Sequence, residues 1–301
     1  MNEYLTREIW KMRKNIKTEA GTPVVSLVRV ENKNYQLLFM SCGCENACTF
    51  CNYGFDYNLT LEMVKPELQK IRLEDFDIVE LELEANGSFL SEREIPYDLF
   101  LEILHFVSHR NIPVITMETH YNTITEKKLQ DIRRILGEEQ EIQFEMGFES
   151  ADENQLKRYC KQQSVEENFI AAEEITKRKI NILPGLITFD PFATKDTIEK
   201  NLKFLFDKLH HYDLGKLTKK LHILTGTPMA RLVEREGLLV GDYLYYDYVF
   251  QNDEVERLYN DFNKYTNEVK KLQQKVNSCG RQFDKKIGIH HKNAANYILS
   301  S

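Results

Sequence analysis

Three cysteines, Cys44, Cys48 and Cys51, fall within one short stretch with the spacing Cys-x3-Cys-x2-Cys. Thiols this close along a chain converge without help from distant segments, which in a reducing compartment reads as a metal site and not a disulfide framework. An iron–sulfur cluster of the [4Fe–4S] type normally takes four protein thiolates, one on each iron. Three leave one iron open to a small molecule. Zinc is the structural alternative, because Cys42 adds a fourth thiolate. Against zinc, structural sites usually draw two ligand pairs from separated segments, and these four are tightly spaced. A redox pair, Cys48 and Cys51, is a second alternative. Cys42 reads as a neighbour and not a ligand. Cys160 and Cys279 read as structural thiols, with hydrogen-atom donation to a radical as their sharper alternative.

Such a loop needs a scaffold, and the hydrophobic periodicity supplies one. Strand-like patterns cover 35–40, 78–83, 114–117, 142–146, 180–189 and 221–224. Helical patterns cover 59–71, 97–107, 125–136, 165–177, 196–209 and 229–236. Pro66 interrupts the first helix. Thr125 is an N-cap and Gly137 a stop. Gly147 is expected to end the fourth strand. Six strand–helix repeats of roughly 35 residues imply parallel strands with helical crossovers. Eight would close a TIM barrel; six give a partial (β/α)6 barrel, open on one side. Reactive residues then belong at the C-terminal strand ends. The cysteines, Asn86-Gly87-Ser88, Glu118, His120 and Glu149-Ser150 all fall there. Residues 1–30 read as a lead-in containing Trp10, 31–240 as the barrel, and 241–301 as a short helical extension. That extension holds Tyr243, Tyr245, Tyr246 and Tyr248, a charged helix at 253–277, and a polar, loosely ordered end.

The chain has 301 residues, 42% of them apolar, enough for a large buried core. No apolar run is long enough for a membrane span, and the N-terminus lacks a signal peptide pattern, so a cytoplasmic protein is expected. The net charge of −7 lowers the expectation of a nucleic-acid partner.

The Cys44-x3-Cys48-x2-Cys51 motif, with Phe50 before its last cysteine, resembles the signature of the radical S-adenosylmethionine (SAM) superfamily. The resemblance spans about residues 35–240. It implies a cluster on these three cysteines whose open iron chelates the amino and carboxylate groups of SAM. Glu84-Ala85-Asn86-Gly87-Ser88 stands at the family's Gly-Gly-Glu-type segment, whose backbone receives the SAM amino group. Gly147-Phe148-Glu149-Ser150 resembles the segment that meets the ribose or the carboxylate. Pro184-Gly185-Leu186-Ile187 resembles the strand along the adenine, and Leu224-Thr225-Gly226-Thr227-Pro228 the Gly-Thr-Pro turn. The implied cofactor-binding residues are therefore Phe50, Asn86, Gly87, Ser88, Glu118, Asn122, Glu149, Ser150, Leu186 and Leu224.

Glu118 and His120 are read as SAM ribose contacts or substrate acid–base groups, against a satisfied polar pair at the barrel mouth. Glu84, Glu145 and Asp190 are candidates for meeting substrate, and the catalytic set is Glu118, His120, Glu145 and Asp190. Ser150 competes with Asp152 to cap a helix. Asn86-Gly87-Ser88-Phe89-Leu90 and Met117-Glu118-Thr119-His120 look like the elongator-like and archaeosine-forming branch, which acts on tRNA. Phe189-Asp190-Pro191-Phe192 and the Gly-Thr-Pro turn look like enzymes of specialised metabolism, often paired with a cobalamin domain. No Asp-x-His-x-x-Gly segment is found, so cobalamin is not expected. A small-molecule substrate and a reductant such as flavodoxin or ferredoxin are expected. The alternatives are a tRNA-modifying enzyme and a zinc-stabilised binding protein.

Overall fold

The computed structural model describes residues 23–31, 33–41, 43–44, 46–51, 58–210, 214–242, 245–278 and 288–301. Six strands form one sheet in the order β1-β2-β3-β4-β5-β6. They are β1 (Val25–Glu31), β2 (Asn34–Phe39), β3 (Glu80–Glu84), β4 (Val114–Thr119), β5 (Glu141–Glu149) and β6 (Asn181–Leu186). β1 and β2 are antiparallel; β2 through β5 are parallel. The helices are α1 (Leu61–Leu68), α2 (Tyr97–Ser108), α3 (Glu126–Leu136), α4 (Glu153–Arg158), α5 (Val165–Lys177), α6 (Lys195–Lys203), α7 (Leu214–Leu217), α8 (Pro228–Arg235), α9 (Asp253–Ser278) and α10 (Gly288–Ser300). β7 (Leu239–Asp242) and β8 (Tyr245–Tyr248) form a separate antiparallel pair. This is a mostly parallel α/β fold of the partial-barrel kind, with no closed barrel among the described residues. None of the helices is long and apolar enough to cross a membrane, among the described residues.

The chain divides into two compact units. The first holds the described residues up to Gly147, with Gln162–Gly185; the second holds Phe148–Lys161 and the described residues from Leu186 on.

In the first unit β3 and β5 alternate between apolar and polar residues, as period-2 geometry allows, and β4 does so with Thr116 buried as well. Leu81, Leu83, Ile115, Met117, Ile142, Phe144 and Met146 are buried, each contributing about 1.5–3 kcal/mol. Their neighbours Glu80, Glu82, Glu84, Glu118, Gln143 and Glu145 are partly exposed on the opposite face. Helix ends are chemically fixed. Thr60 and Thr125 accept from Met63 N and Lys128 N, and Ser164 forms a capping box with Glu167. Arg133 donates to the carbonyls of Arg178, Lys179 and Gln140 at 2.9, 2.6 and 2.9 Å.

In the second unit Phe189 stacks edge-on against Phe250, Tyr259 and Phe262. Tyr248 is buried and donates to Phe189 O at 3.1 Å. Lys220 Nζ lies 4.2 Å from the Tyr248 ring centroid and pairs with Asp247.

Four sequence expectations are corrected. The strand expected at 221–224 is reduced to a single parallel bridge between Phe189 and Lys220. The sheet's sixth strand is instead β1, inside the expected lead-in. Its signal is weak because Val28 and Val30 are exposed on an edge strand. Gly147 does not end β5, which runs on to Glu149. The expected loose end carries α10, which buries His291, Ala295 and Leu299. Trp10, Cys42, Tyr243 and Cys279 lie outside the described residues, as does the Tyr245 side chain.

Candidate functional site

β2 delivers the chain into the cysteine loop through Ser41. Cys44 and Cys48 are buried and Cys51 is partly exposed. Asn46 N donates to Cys44 Sγ at 3.3 Å. The turn after β3 closes directly on this loop. A Cβ placed on Gly87 would stand 2.1 Å from Cys44 Cβ and 2.7 Å from Cys44 Cα. Only a glycine permits that approach.

Hydrogen bonds hold the turn there. Asn86 N donates to Ser41 Oγ at 3.0 Å and Asn86 Nδ2 to Ser41 O at 2.6 Å. Ser41 Oγ donates to Glu94 Oε2 at 2.8 Å, and Ser88 N to Glu94 Oε1 at 2.9 Å. Burial pushes the Glu94 carboxyl up to about 7, although its hydrogen bonds pull the other way. Sequence reading missed Glu94 and Ser41. A glutamate beside Arg93, just before a helix, looks like surface charge.

His120 follows β4. Its Nε2 stands 3.0 Å from Cys44 Sγ, and its backbone N donates to Ser88 Oγ at 3.3 Å. Asn122 is exposed on the one-turn helix at Tyr121–Thr123. Phe50 is partly exposed within the cysteine loop.

The polar face of the strands opens a cavity of about 280 Å³ lined by Gln36, Glu82, Glu84, Asn86, Glu118 and Glu145. Burial, then the charges of Glu82 and Glu145, raises Glu84 to about 7. Burial also raises Glu82, against the pull of its 2.6 Å bond from Gln36 Nε2. Glu118 and Glu145, expected as catalytic, thus share one cavity.

The second unit holds the remaining expected residues. Glu149 has φ 61° and pairs with buried Lys161 at 2.9 Å. Ser150 donates to Asn201 Oδ1 at 3.0 Å and accepts from Asp152 N at 2.9 Å. Asp152, not Ser150, caps α4. Leu186 is buried and Leu224 partly exposed. Asp190, expected as catalytic, is buried. It has no exposed surface, and Gln155 Nε2, Arg158 Nη2 and Tyr159 OH donate to its Oδ2 at 2.8, 2.9 and 2.7 Å. Phe192 N donates to its Oδ1 at 2.7 Å. A carboxylate so engaged is held in place by its neighbours.

Among the described residues, no three His, Cys, Asp or Glu side chains are placed to hold a single metal ion. A cluster asks for something else, one thiolate on each of several irons. Three thiols in one loop, with a glycine cradle against Cys44, fit that demand. A zinc site using Cys42 falls outside the described residues.

The family model for the radical SAM superfamily matches residues 38–205. The chain belongs to the radical SAM superfamily, a class of enzymes. No curated protein sequence matches it. Among solved structures it is similar to the cobalamin-dependent S-adenosylmethionine radical enzyme OxsB with aqua-cobalamin bound, at 18% identity and a TM-score of 0.65, covering 87% of this chain and 46% of that one. The same enzyme with aqua-cobalamin and S-adenosylmethionine bound gives 18% identity and a TM-score of 0.62, covering 88% and 45%. This chain thus spans a little under half the length of that enzyme. At this identity the likeness concerns the fold.

Proposed function

We propose that this chain is a radical SAM enzyme that binds a [4Fe–4S] cluster through Cys44, Cys48 and Cys51 and acts on a small-molecule substrate in the cytoplasm, with a flavodoxin- or ferredoxin-like protein as electron donor. The observation that carries the reading is the packing of the Asn86-Gly87-Ser88 turn onto Cys44, which leaves no room for a side chain at position 87. Bound together, the cluster and SAM would supply one-electron reductive opening of a sulfur–carbon bond and so the means to abstract hydrogen from a substrate.

The chain's own residues do the rest. Cys44, Cys48 and Cys51 hold the metal group. The backbone of residues 86–88 receives the SAM amino group. His120 Nε2 donates to the Cys44 thiolate and withdraws charge from it. Glu84, poised near neutrality, takes or gives a proton at its carboxyl inside the cavity. Glu118 and Glu145 orient the substrate from the same cavity. Phe50 and Asn122 are further SAM contacts in the first unit. Four carboxylates facing one small cavity repel a phosphodiester backbone, which supports a small molecule over tRNA.

Anaerobic purification with iron and sulfide tests this. The expected protein is brown, absorbs near ~400 nm, and releases 5′-deoxyadenosine from SAM when reduced. A colourless protein with stoichiometric zinc refutes the reading. A tRNA complex that survives raised salt refutes the small-molecule part.

A further inference from the structure

Glu94 is almost fully buried, at 1% exposure. Ser88 N and Ser41 Oγ donate to its two oxygens, and the Gly87 backbone N–H faces the same carboxyl and favours its charged form. All three donors are neutral. A carboxylate buried on neutral donors is expensive to desolvate, so its placement needs a reason.

Peptide geometry supplies one. In a trans peptide the N–H and C=O point in opposite directions. With the amides of Gly87 and Ser88 turned onto Glu94, the carbonyls of Asn86 and Gly87 are turned away from it. Two neighbouring carbonyls set this way are acceptors suited to an ammonium group. A dipeptide without Glu94 has no such constraint, least of all at a glycine. Ser41 completes the link. Its hydroxyl joins Glu94 to Asn86 N, and its carbonyl accepts from Asn86 Nδ2. The turn is therefore tied to the residue that leads into the cysteine loop.

Resting on the cluster and SAM reading above, we infer that Glu94 is a positioning residue: it fixes the two peptide planes of the Asn86-Gly87-Ser88 turn and, through Ser41, holds that turn on the cysteine loop to receive the SAM amino group. Glu94 itself touches neither cofactor.

Glu94→Gln tests it. The amide keeps one acceptor oxygen but presents an NH2 where a donor already points. Three quantities are read: iron per chain after anaerobic reconstitution, the Kd for SAM by equilibrium dialysis, and hydrogen exchange of the Gly87 and Ser88 amides in cluster-free protein. E94Q is expected to load iron as the native protein does. Its SAM Kd rises about tenfold, exchange at the two amides speeds up by a similar factor, and SAM perturbs the electron paramagnetic spectrum of the reduced cluster less. Native Kd and native exchange in E94Q overturn the inference. If E94Q does not fold or load, Ser41→Ala replaces it. That variant leaves the carboxylate on the turn and removes the hydroxyl bridge between Glu94 and Asn86 N, while the Ser41 carbonyl still accepts from Asn86 Nδ2, so SAM binds severalfold more weakly; an unchanged Kd overturns the inference. Native protein that loads no cluster refutes the underlying reading instead, and exchange in the cluster-free chain still decides whether Glu94 fixes the two amides.

Discussion

Replacing Gly87 by alanine puts one methyl group where the structure has no room. The new Cβ stands 2.1 Å from Cys44 Cβ, 2.7 Å from its Cα and 2.9 Å from its N. None of these is the free end of a flexible side chain. Ordinary carbon contacts lie at about 3.5–4.0 Å, so one of the two segments must retreat by roughly 1.5 Å. The 86–88 turn is pinned by Ser41 and Glu94, so the cysteine loop is the segment that gives way. Metal-ligand distances tolerate about ±0.2 Å, far less than that shift. Overpacking adds about 1–3 kcal/mol of destabilisation. G87A should therefore melt cooperatively at a lower temperature and retain little iron and sulfide after reconstitution. The control is Gly137→Ala, where φ is 100° but a Cβ meets nothing within 4 Å. It should lower Tm by backbone strain alone and load iron normally. Native iron content and native Tm in G87A would refute the packing argument.

Changing Cys44, Cys48 or Cys51 singly to alanine should abolish 5′-deoxyadenosine formation while circular dichroism stays native; continued turnover in the triple variant would sink the ligand assignment. Glu84 is raised to about 7, so the folded state keeps a proton that the unfolded chain gives up earlier. That stability is full below the ordinary carboxylate range and is lost as pH rises through about 7. Native Tm should fall more than that of E84Q between about pH 5 and about pH 8, and parallel slopes would show that Glu84 is not buried as described. Asp190→Ala should cost about 3–5 kcal/mol by leaving the Arg158 charge and its companions unmet, read from the urea midpoint; a stable but inactive variant would restore a chemical role. Arg133→Ala should cost about 2–3 kcal/mol through its orphaned carbonyls, with SAM cleavage unchanged per folded molecule.

Local chemistry was the legible part of this sequence. Helix α5 matches its sequence pattern over Val165–Lys177 because Ser164 and Glu167 mark its start. Helix α3 begins after Thr125 and stops at Gly137, as those residue types require. The cysteine loop was legible because its ligands are neighbours in sequence. What was not legible depends on partners far along the chain. Asp190 at a strand end looks available until Gln155, Arg158 and Tyr159 arrive from some thirty residues upstream. Glu94 works through backbone amides, which have no signature in side-chain chemistry. β1 escaped notice because an edge strand needs only one hydrogen-bonded side and exposes Val28 and Val30.

The two-faced strands of the first unit separate folding from selectivity. Leu81, Leu83, Met117 and Phe144 carry the packing, while Glu82, Glu84, Glu118 and Glu145 face a cavity and support little of it. Each member of one set sits a single residue from a member of the other. The same few strands can therefore accumulate changes in what they admit without disturbing what holds them together. A library randomised at those four glutamates should stay largely folded while the lining of the cavity changes.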